Sequence, residues 1–544
     1  MLIKIHMKHI ILQLKGEYTE MENLMLLDCT LRDGGYINDW NWGYKKAKDI
    51  ISMLVKANID VVEVGFLRDI EVYNKNITVC NKIEELKMLL PEDRKNTIFS
   101  AMAMRSNYDI KKLACRDKLG IDMIRITAHD YDIEEGMEFA KQVKDLGYLL
   151  SINPINIMGY SDEQLLHILE EVERIHPYQF SIVDTFGSMK RRDLDRIVSL
   201  VDNNLSKDIR VGLHLHENMA LSFSLAQRFV DCYLNRPITV DGSLLGMGRI
   251  PGNLPIELIA DYVNEYVDNR YNIDFLMDAI QDYIQPIKEK KEWGYTPAYF
   301  LSAKYNLHRN YAEYYIDKGD LTNRDINHIL ARIDKEKTTV FDANYAEELY
   351  KQYINNIIDD AQARMNLKEK LQNKNVVVIA PGKSVEREKK KIENYINEKN
   401  AIVISVNFVL DNKCDYAFFS NARRIQRINH KEGYEVIGTS NLNDDKIDYT
   451  INHNDISGGF QQGCNSLILL LNLLSQLGVK EVGLAGADGY KANRENYFDT
   501  AMKSKAKHDS AFNQTVGKAF NKLPIQIEFI TESAYQSFYK CNEK

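Results

Sequence analysis

Between residues 24 and 267, short runs of apolar residues alternate eight times with longer segments in which apolar residues recur at helical spacing. Apolar runs of four to eight residues are typical of buried strands, and apolar residues at i, i+3, i+4 and i+7 are typical of helices. Eight strand–helix units in about 245 residues match the length of a (β/α)₈ TIM barrel. A doubly wound α/β sheet is the alternative, and the count of eight favours a closed barrel.

The predicted strands are Leu24–Cys29, Val61–Phe66, Thr97–Met104, Met123–Thr127, Tyr148–Ile152, Phe180–Asp184, Val211–His216 and Ile238–Asp241. The predicted helices cover residues 44–56, 77–90, 107–118, 133–146, 161–175, 190–204, 219–235 and 255–267. The barrel domain is therefore expected over residues 24–270.

The full length of 544 residues is too great for one ordinary domain, and two or three are expected. Residues 1–23 are predicted to be an N-terminal extension, and residues 271–370 a helical domain that closes the barrel. Residues 375–544 are predicted to form a Rossmann-like α/β domain. Its strands are expected at Val376–Ala380, Ala401–Val406, Asp415–Phe419, Glu435–Gly438, Val482–Ala485 and Ile525–Ile530.

Composition excludes several classes of function. A net charge of −8 and a pI near 5.9 provide no electrostatic surface for nucleic acid. No apolar run reaches the roughly 18 residues needed to cross a bilayer. Seven dispersed cysteines without a Cys-x-x-Cys pair are typical of reduced thiols in a cytoplasmic protein. A homo-oligomer is compatible with this composition.

Two histidines, His214 and His216, are separated by one residue in the seventh predicted strand. Because a strand has a period of two, both imidazoles point to the same side. Two imidazoles and one acid from elsewhere in the chain would form a divalent-metal site. In a (β/α)₈ barrel the carboxyl ends of the strands face the active site, and chemically active residue types are concentrated at these ends. They occur in Asp28-Cys-Thr-Leu-Arg-Asp-Gly-Gly-Tyr36, Arg125-Ile-Thr-Ala-His-Asp130, Asp184-Thr185 and Asp241-Gly-Ser-Leu-Leu-Gly-Met-Gly-Arg-Ile-Pro-Gly-Asn253.

These motifs, in this order, resemble those of the metal-dependent aldolase and lyase superfamily (HMG-CoA lyase-like, or DRE-TIM metallolyases). Its members include 4-hydroxy-2-oxovalerate aldolase, hydroxymethylglutaryl-CoA lyase and the isopropylmalate and homocitrate synthases. The segments Arg-x-x-x-His, Asp-Thr-x-Gly-Ser-Met and Trp293-Gly-Tyr-Thr-Pro-Ala-Tyr299 resemble most the 4-hydroxy-2-oxoacid aldolases. The resemblance covers residues 24–270 and the start of the helical segment.

By this resemblance, Asp33, His214 and His216 bind a divalent cation, with Asn253 as a fourth ligand. The ligand set suits Mn²⁺ or Mg²⁺, and Zn²⁺ is also compatible with it. The implied substrates are a 2-oxoacid such as pyruvate and an aldehyde, and the metal would act as a Lewis acid toward the enolate. Arg32 would add a fixed positive charge near the enolate oxygen, or form an ion pair with an acid such as Glu63.

The general base is left open between three candidates. In the resembling aldolases a histidine stands three residues after the aspartate ligand, and here that position is Tyr36. His129, at the end of the fourth strand, titrates in the useful range, and a metal-bound water is the third candidate. The resemblance also assigns Thr185 to the substrate carboxylate and Tyr295 or Tyr299 to the aldehyde end of the substrate.

In the C-terminal domain, Pro381-Gly-Lys-Ser384 turns a strand into a helix. A nucleoside-triphosphatase loop is excluded because Val377 occupies the place of its first glycine. Ser457-Gly-Gly…Ser466 and Gly486-Ala-Asp-Gly-Tyr490 resemble the sialyltransferase-like and motility-accessory domains of surface-glycan pathways. This resemblance implies a nucleotide or nucleotide-sugar ligand near Gly382, Asn407 and Asp488.

The sequence therefore predicts a divalent-metal-dependent aldolase that forms or cleaves a 4-hydroxy-2-oxoacid, in the context of surface-glycan biosynthesis. Two alternatives remain: a Claisen-type enzyme that condenses an acyl-CoA, and a binding protein with a degenerate, non-catalytic barrel.

Overall fold

The computed structural model describes residues 24–539 except 233, 320, 355–356, 411–413, 429–432, 443, 458–464, 492–495, 500–501 and 503–509. The predicted N-terminal extension, residues 1–23, lies outside the described residues. The chain divides into two compact units, Met1–Arg309 and Asn310–Lys544. The segment 271–370, predicted as one helical domain, is thus shared between the two units.

The first unit is built on eight parallel strands, which we number β1 to β8. They are Leu24–Asp28, Val61–Leu67, Ile98–Met104, Met123–Ala128, Leu149–Pro154, Gln179–Val183, Arg210–His214 and Ile238–Gly242. Each strand pairs with its neighbours in the chain, and β1 pairs both with β8 and with β2, where Leu27 lies opposite Val61. The sheet therefore closes on itself, and the predicted (β/α)₈ barrel is confirmed.

Successive residues of the strands belong to two different apolar layers. Leu26, Val62 and Ile124 lie in a large core that includes residues of the surrounding helices. Their neighbours Leu27, Val61 and Met123 lie in a separate small cluster. This alternation is the period of two of a strand whose faces are both buried, with one face toward the helices and the other toward the barrel interior.

Helices follow most of the strands. They are Tyr44–Lys56, Ile83–Lys87, Ile133–Asp145, Asp162–Ile175, Arg191–Asn204, Ser222–Val230 and Ile256–Tyr266. The helix Asp162–Ile175 shows how the sequence sets such bounds. The Ser161 hydroxyl accepts a hydrogen bond from the backbone N–H of Gln164, and the Gln164 side chain accepts one from the Ser161 N–H, which forms a capping box. At the other end, His176 adopts the left-handed conformation that ends the helix.

The third strand–helix unit departs from the prediction. Residues 107–118 contain no α-helix but two short 3₁₀ turns, Arg105–Asn107 and Ile110–Lys112. Only Tyr108 and Leu113 of this segment have buried apolar side chains, and a separation of five residues places them on different faces of a helix. In addition, the Asp109 carboxylate accepts a hydrogen bond from the N–H of Lys111 and caps the short turn. The helix predicted at 77–90 is also shorter, because Val79–Cys80 pairs with β2 as a strand.

Beyond the barrel, the first unit continues with Ile273–Ala279, a π-helical turn at Ile280–Ile284, Gln285–Lys288 and Pro297–Lys304. Among the described residues of the whole chain, none of the helices combines the length and the apolar character needed to cross a membrane.

The second unit contains a parallel sheet of seven strands, β9 to β15, flanked by helices. The strands are Val376–Ile379, Ile402–Val406, Tyr416–Phe419, Glu435–Thr439, Tyr449–Ile451, Glu481–Ala485 and Gln526–Phe529. Their order in the sheet is β13-β12-β11-β10-β9-β14-β15, so the direction of winding reverses beside β9. Six of these strands were predicted, and the short edge strand Tyr449–Ile451 was not.

The longer helices of the second unit are Asn310–Lys318, Asn323–Leu330, Ala343–Ile354, Ala361–Leu371, Lys389–Lys399, Ser466–Gln476 and Ser510–Phe520. Ser466–Gln476 buries six leucines and one isoleucine against the sheet.

Candidate metal centre

Asp33 lies at the end of a four-residue helix, Thr30–Asp33, that follows β1. Hydrogen bonds that two tryptophan side chains donate to its backbone carbonyls hold this turn in place. The indole N–H groups of Trp40 and Trp42 donate to the carbonyls of Arg32 (2.7 Å) and Leu31 (3.2 Å). Gly35 permits this arrangement, because a Cβ there would lie 2.1 Å from the Trp40 ring.

The two histidines lie at the end of β7. His214 is its last residue, and His216 follows in an isolated antiparallel bridge with Asn253, so the strand ends two residues earlier than predicted. Nδ1 of His214 lies 3.1 Å from a carboxylate oxygen of Asp241, and Nδ1 of His216 lies 2.9 Å from the backbone carbonyl oxygen of Asp184. Each ring thus donates from Nδ1 and leaves Nε2 as its ligand atom, the usual arrangement of metal-binding histidines.

Asp33, His214 and His216 each offer a ligand atom, and these three atoms lie within 4.8 Å of one another. All three side chains are buried. The second oxygen of Asp33, which lies 3.8 Å from Nε2 of His216, is buried and has no hydrogen-bond partner among the described residues, and neither does the amide oxygen of Asn253. Buried oxygens without hydrogen donors, beside two imidazoles, fit a divalent cation.

The protonation states of Asp33 and His216 also fit a divalent-metal site. Burial alone would raise the pKa of Asp33, but the positive charge of Arg32, with smaller contributions from the two imidazoles, holds it well below its usual value. Burial, reinforced by the neighbouring His214, lowers the pKa of His216 to about 3. An ionised carboxylate and a neutral imidazole are the forms that bind a metal.

A chain of buried ion pairs connects the ligands beneath this site. Arg32 binds both Asp33 and Glu63, and the Glu63 oxygen that accepts from Arg32 at 2.7 Å also accepts from Arg125 at 3.1 Å. Arg125 in turn donates to Asp241, the partner of His214. Among these five charged residues the three carboxylates exceed the two guanidiniums by one charge, so a divalent cation would be favoured electrostatically.

The remaining predicted catalytic residues lie at different positions around the barrel mouth. Tyr36 follows Asp33 closely, and its hydroxyl accepts a hydrogen bond from Arg68 at 3.4 Å. Its ring contacts that of Trp40, with 4.7 Å between centroids. His129 follows β4 and stacks on the ring of Tyr131 at 4.8 Å. The assignment of the general base to Tyr36, His129 or a bound water stays a prediction.

Of the predicted substrate-binding residues, Thr185 is the one that lines a cavity together with His216. Its hydroxyl accepts a hydrogen bond from the backbone N–H of Asn156 at 2.7 Å. Tyr299 lies in the helix Pro297–Lys304, and its carbonyl accepts from Asn218 at 3.5 Å. Tyr295 is 54% exposed, and its substrate role stays a prediction.

Sequence reasoning did not assign roles to Asp241, Arg125, Arg249 and Arg309, which the structure places in or beside the site. Asp241 and Arg125 lie on β8 and β4 and are buried. The sequence signal that could have identified Asp241 and Arg125 is a charged residue inside an otherwise apolar strand, because such a residue is rarely buried without a partner.

In the second unit, Gly382, Asn407 and Asp488 follow the carboxyl ends of β9, β10 and β14, which are neighbours in the sheet. The Asp488 carboxylate accepts hydrogen bonds from the backbone N–H and the hydroxyl of Ser384. A Cβ at Gly382 would lie 2.3 Å from the Gly486 carbonyl oxygen. Asn407 donates to the Ser466 hydroxyl at 2.6 Å. The glycines of the Ser457-Gly-Gly motif lie outside the described residues.

An eight-stranded barrel with a carboxylate and two imidazoles at its strand ends is the arrangement that the resemblance to the metal-dependent aldolases and lyases implies. Residues 23–282 match the family model described as HMGL-like. The chain is 23% identical over 274 residues to a 4-hydroxy-2-oxovalerate aldolase of Shewanella halifaxensis, a match that covers 49% of this chain and 79% of the relative. It is also 23% identical over 258 residues to an oxaloacetate decarboxylase of Mycobacterium tuberculosis, covering 47% of this chain and 74% of the relative. A solved HMG-CoA lyase of Bacillus subtilis aligns with a TM-score of 0.40 and 16% identity, covering 50% of this chain and 95% of that chain.

The barrel unit of this chain is therefore an HMGL-like domain, and its class of activity is that of a carbon–carbon lyase.

Proposed function

We propose that the barrel unit is a divalent-metal-dependent aldolase that cleaves or forms 4-hydroxy-2-oxoacids from a pyruvate-type 2-oxoacid and an aldehyde. The observation that carries the proposal is the convergence of Asp33, His214 and His216, whose ligand atoms lie within 4.8 Å of one another. The similarity to 4-hydroxy-2-oxovalerate aldolase supports the choice of substrate class.

Asp33, His214 and His216 would hold the cation, with Asn253 as a further oxygen ligand; Mn²⁺ or Mg²⁺ is the expected ion, and Zn²⁺ also fits this ligand set. When bound, the cation would supply a Lewis acid for the keto oxygen of the 2-oxoacid.

Arg32 is the protein's own electrostatic contribution. Its guanidinium is buried and fixed between Asp33 and Glu63, so it does not need to reorganise during the reaction. In the cleavage direction the 4-hydroxyl loses its proton, the C3–C4 bond breaks, and its electron pair forms the enolate while the aldehyde leaves. C3 of the enolate then takes up a proton to give the 2-oxoacid. Arg32 stabilises the negative charge that develops on the enolate oxygen.

We assign the proton transfer at the aldehyde oxygen to Tyr36. It stands three residues after the ligand Asp33, and its hydroxyl is bound by Arg68. In the condensation direction Tyr36 donates its proton to the new alkoxide, and the Arg68 guanidinium stabilises the phenolate that remains. Thr185, on the cavity wall beside His216, is assigned to the 2-oxoacid carboxylate.

Exchange of the C3 protons of pyruvate with D₂O tests this proposal, because it reports enolate formation without an aldehyde. We expect Mn²⁺-dependent exchange by the full-length protein, and its loss in Asp33→Ala and His214→Ala. His176→Ala is the matched control, since His176 is 47% exposed and pairs with Asp208 outside the site. Exchange that persists in Asp33→Ala and His214→Ala would contradict the proposal.

Product analysis distinguishes the alternatives. An aldolase joins pyruvate to an aldehyde, whereas a Claisen-type enzyme requires an acyl-CoA and releases a free thiol. A degenerate barrel would give neither product and no exchange.

For the second unit we propose a nucleotide or nucleotide-sugar ligand, consistent with a role in surface-glycan synthesis. The support is positional: Gly382, Asn407 and Asp488 follow adjacent strands where the strand order reverses, which is where open parallel sheets bind ligands. Calorimetric titration with CMP and UDP is the test, with Asn407→Ala expected to weaken binding. No heat of binding for either nucleotide would contradict it.

A further inference from the structure

Next to His216, a small cavity opens at the mouth of the barrel. Its wall includes Thr185, His216, Asn218, Arg249 and Arg309. Two of these five side chains carry a permanent positive charge, because arginine is not deprotonated in proteins. The cavity thus extends from a predicted metal ligand to two guanidinium groups.

The two arginines are held toward this cavity by neighbouring groups. Arg249 lies in the loop after β8, and its Nη2 donates to Nε2 of His308 at 2.6 Å. Arg309 donates to the backbone carbonyl of Ile250 at 3.0 Å. Both contacts join the loop after β8 to the segment that follows the helix Pro297–Lys304, so the position of each guanidinium is fixed before a ligand arrives.

The positive charge of the two arginines affects the pKa of the neighbouring His308. Burial, together with repulsion from Arg249, Arg309 and His129, lowers the pKa of His308 to about 3. His308 is therefore neutral and can accept the hydrogen bond from Arg249.

The cavity also lies close to the residue assigned to the aldehyde oxygen. The Arg249 guanidinium carbon lies 5.9 Å from the centroid of the Tyr36 ring, and Tyr36 is the residue assigned to the aldehyde oxygen. A substrate group beyond the aldehyde carbon would therefore extend toward Arg249 and Arg309.

Resting on the proposed aldolase function, we propose that the aldehyde substrate carries an anionic group, a carboxylate or a phosphate, which Arg249 and Arg309 bind. Guanidinium groups match both anions in geometry and charge. The arginines thus determine specificity for the aldehyde, while the 2-oxoacid is held at the metal centre and Thr185.

The test uses the full-length protein with Mn²⁺ and pyruvate, and compares paired aldehydes. Succinic semialdehyde is compared with butanal, and glyceraldehyde 3-phosphate with glyceraldehyde, so that the two pairs separate a carboxylate from a phosphate ligand. We expect kcat/KM to be at least about tenfold higher for one anionic aldehyde than for its neutral partner, the size of one charge-assisted hydrogen bond. This ratio should fall about tenfold in Arg249→Gln and in Arg309→Gln, and should be largely restored in Arg249→Lys. Arg191→Gln, at a side chain that is 72% exposed, should leave the ratio unchanged.

Each other outcome overturns the inference. If neither pair shows a preference while pyruvate still exchanges its C3 protons, the anion site is wrong and the aldolase proposal stands. If Arg249→Gln and Arg309→Gln slow the anionic and neutral aldehydes equally, the arginines act on the fold or on the 2-oxoacid. If the wild-type protein shows no exchange, the aldolase proposal fails and the inference fails with it.

Discussion

Asp241 and His214 form a hydrogen-bonded pair inside the barrel, with 3.1 Å between the carboxylate oxygen and Nδ1. The same oxygen accepts a hydrogen bond from Arg125. Asp241 therefore fixes the orientation of a predicted metal ligand and is itself fixed by a buried guanidinium. Loss of such an outer partner typically weakens metal binding, because the ligand is no longer held in its orientation.

Replacing Asp241 by Asn should weaken binding of Mn²⁺. The amide keeps the size of the carboxylate but loses its charge and is a poorer partner for the Nδ1–H of His214. We expect the Kd to rise by about 10- to 100-fold, measured by isothermal titration calorimetry. Asp122→Asn is the matched control, because Asp122 also pairs with arginines, Arg94 and Arg116, but precedes β4 at the opposite end of the barrel. An unchanged Kd in Asp241→Asn would show that the pair is not needed to orient His214.

Replacing Arg125 by Met should destabilise the barrel unit. Arg125 is 1% exposed and pairs with both Glu63 and Asp241, so the variant would leave buried carboxylate charge without its partner. The expected loss in the free energy of unfolding is about 3–5 kcal/mol. All three tryptophans, Trp40, Trp42 and Trp293, lie in the barrel unit, so urea unfolding followed by tryptophan fluorescence reports on this unit alone.

Arg116→Met provides the comparison for Arg125→Met. Arg116 pairs with Asp122, but its side chain is 34% exposed. Water can solvate the partner that remains, so the loss should stay below about 1 kcal/mol. Equal losses in the two variants would mean that burial of the Arg125 network carries no special cost.

The positions of the barrel strands could be predicted from the sequence, whereas the ion pairs between them could not. The eight barrel strands followed from the spacing of apolar residues, and the two-residue period placed His214 and His216 on one side. The pairing of Arg125 with Asp241 could not be predicted, because neither periodicity nor strand order tells which of several inward-facing charged side chains pair with one another across the barrel. The missing helix at 107–118 has another cause: Tyr108 and Leu113 are buried without lying on one helical face. The edge strand Tyr449–Ile451 is only three residues long, too short for a periodic signal.

Glu257 should make the stability of the barrel unit depend on pH. It lies in the first turn of the helix Ile256–Tyr266 and accepts a hydrogen bond from the N–H of Leu245 at 3.1 Å. Burial raises its pKa to about 7. Between pH 4.5 and 7 the folded protein therefore holds a proton that the unfolded chain has lost, and the free energy of unfolding falls as the pH rises through this range.

Glu257→Gln removes this ionisation and keeps a hydrogen-bond acceptor for Leu245. Relative to the variant, the free energy of unfolding of the wild-type barrel unit should fall by up to about 3 kcal/mol between pH 5 and pH 8. Tryptophan fluorescence during urea unfolding measures this difference. Other titrating groups are common to both proteins and cancel in the difference. The exposed Glu163, changed to Gln, should give no such difference. A wild-type-minus-variant difference that does not change with pH would contradict the raised pKa.

Tyr36→Phe should separate the two halves of the proposed reaction. Tyr36 is assigned to the aldehyde oxygen, where its hydroxyl is bound by Arg68 at 3.4 Å, so its removal should slow condensation of pyruvate with an aldehyde by about 100-fold or more. Exchange of the pyruvate C3 protons with D₂O should fall far less, because no aldehyde takes part in it. His129→Gln decides between the remaining candidates for the base at C3: a large loss of exchange would assign that step to His129, and unaltered exchange would assign it elsewhere. If Tyr36→Phe lowers exchange as much as condensation, Tyr36 acts on the 2-oxoacid rather than on the aldehyde, and the assignment given to it here is wrong.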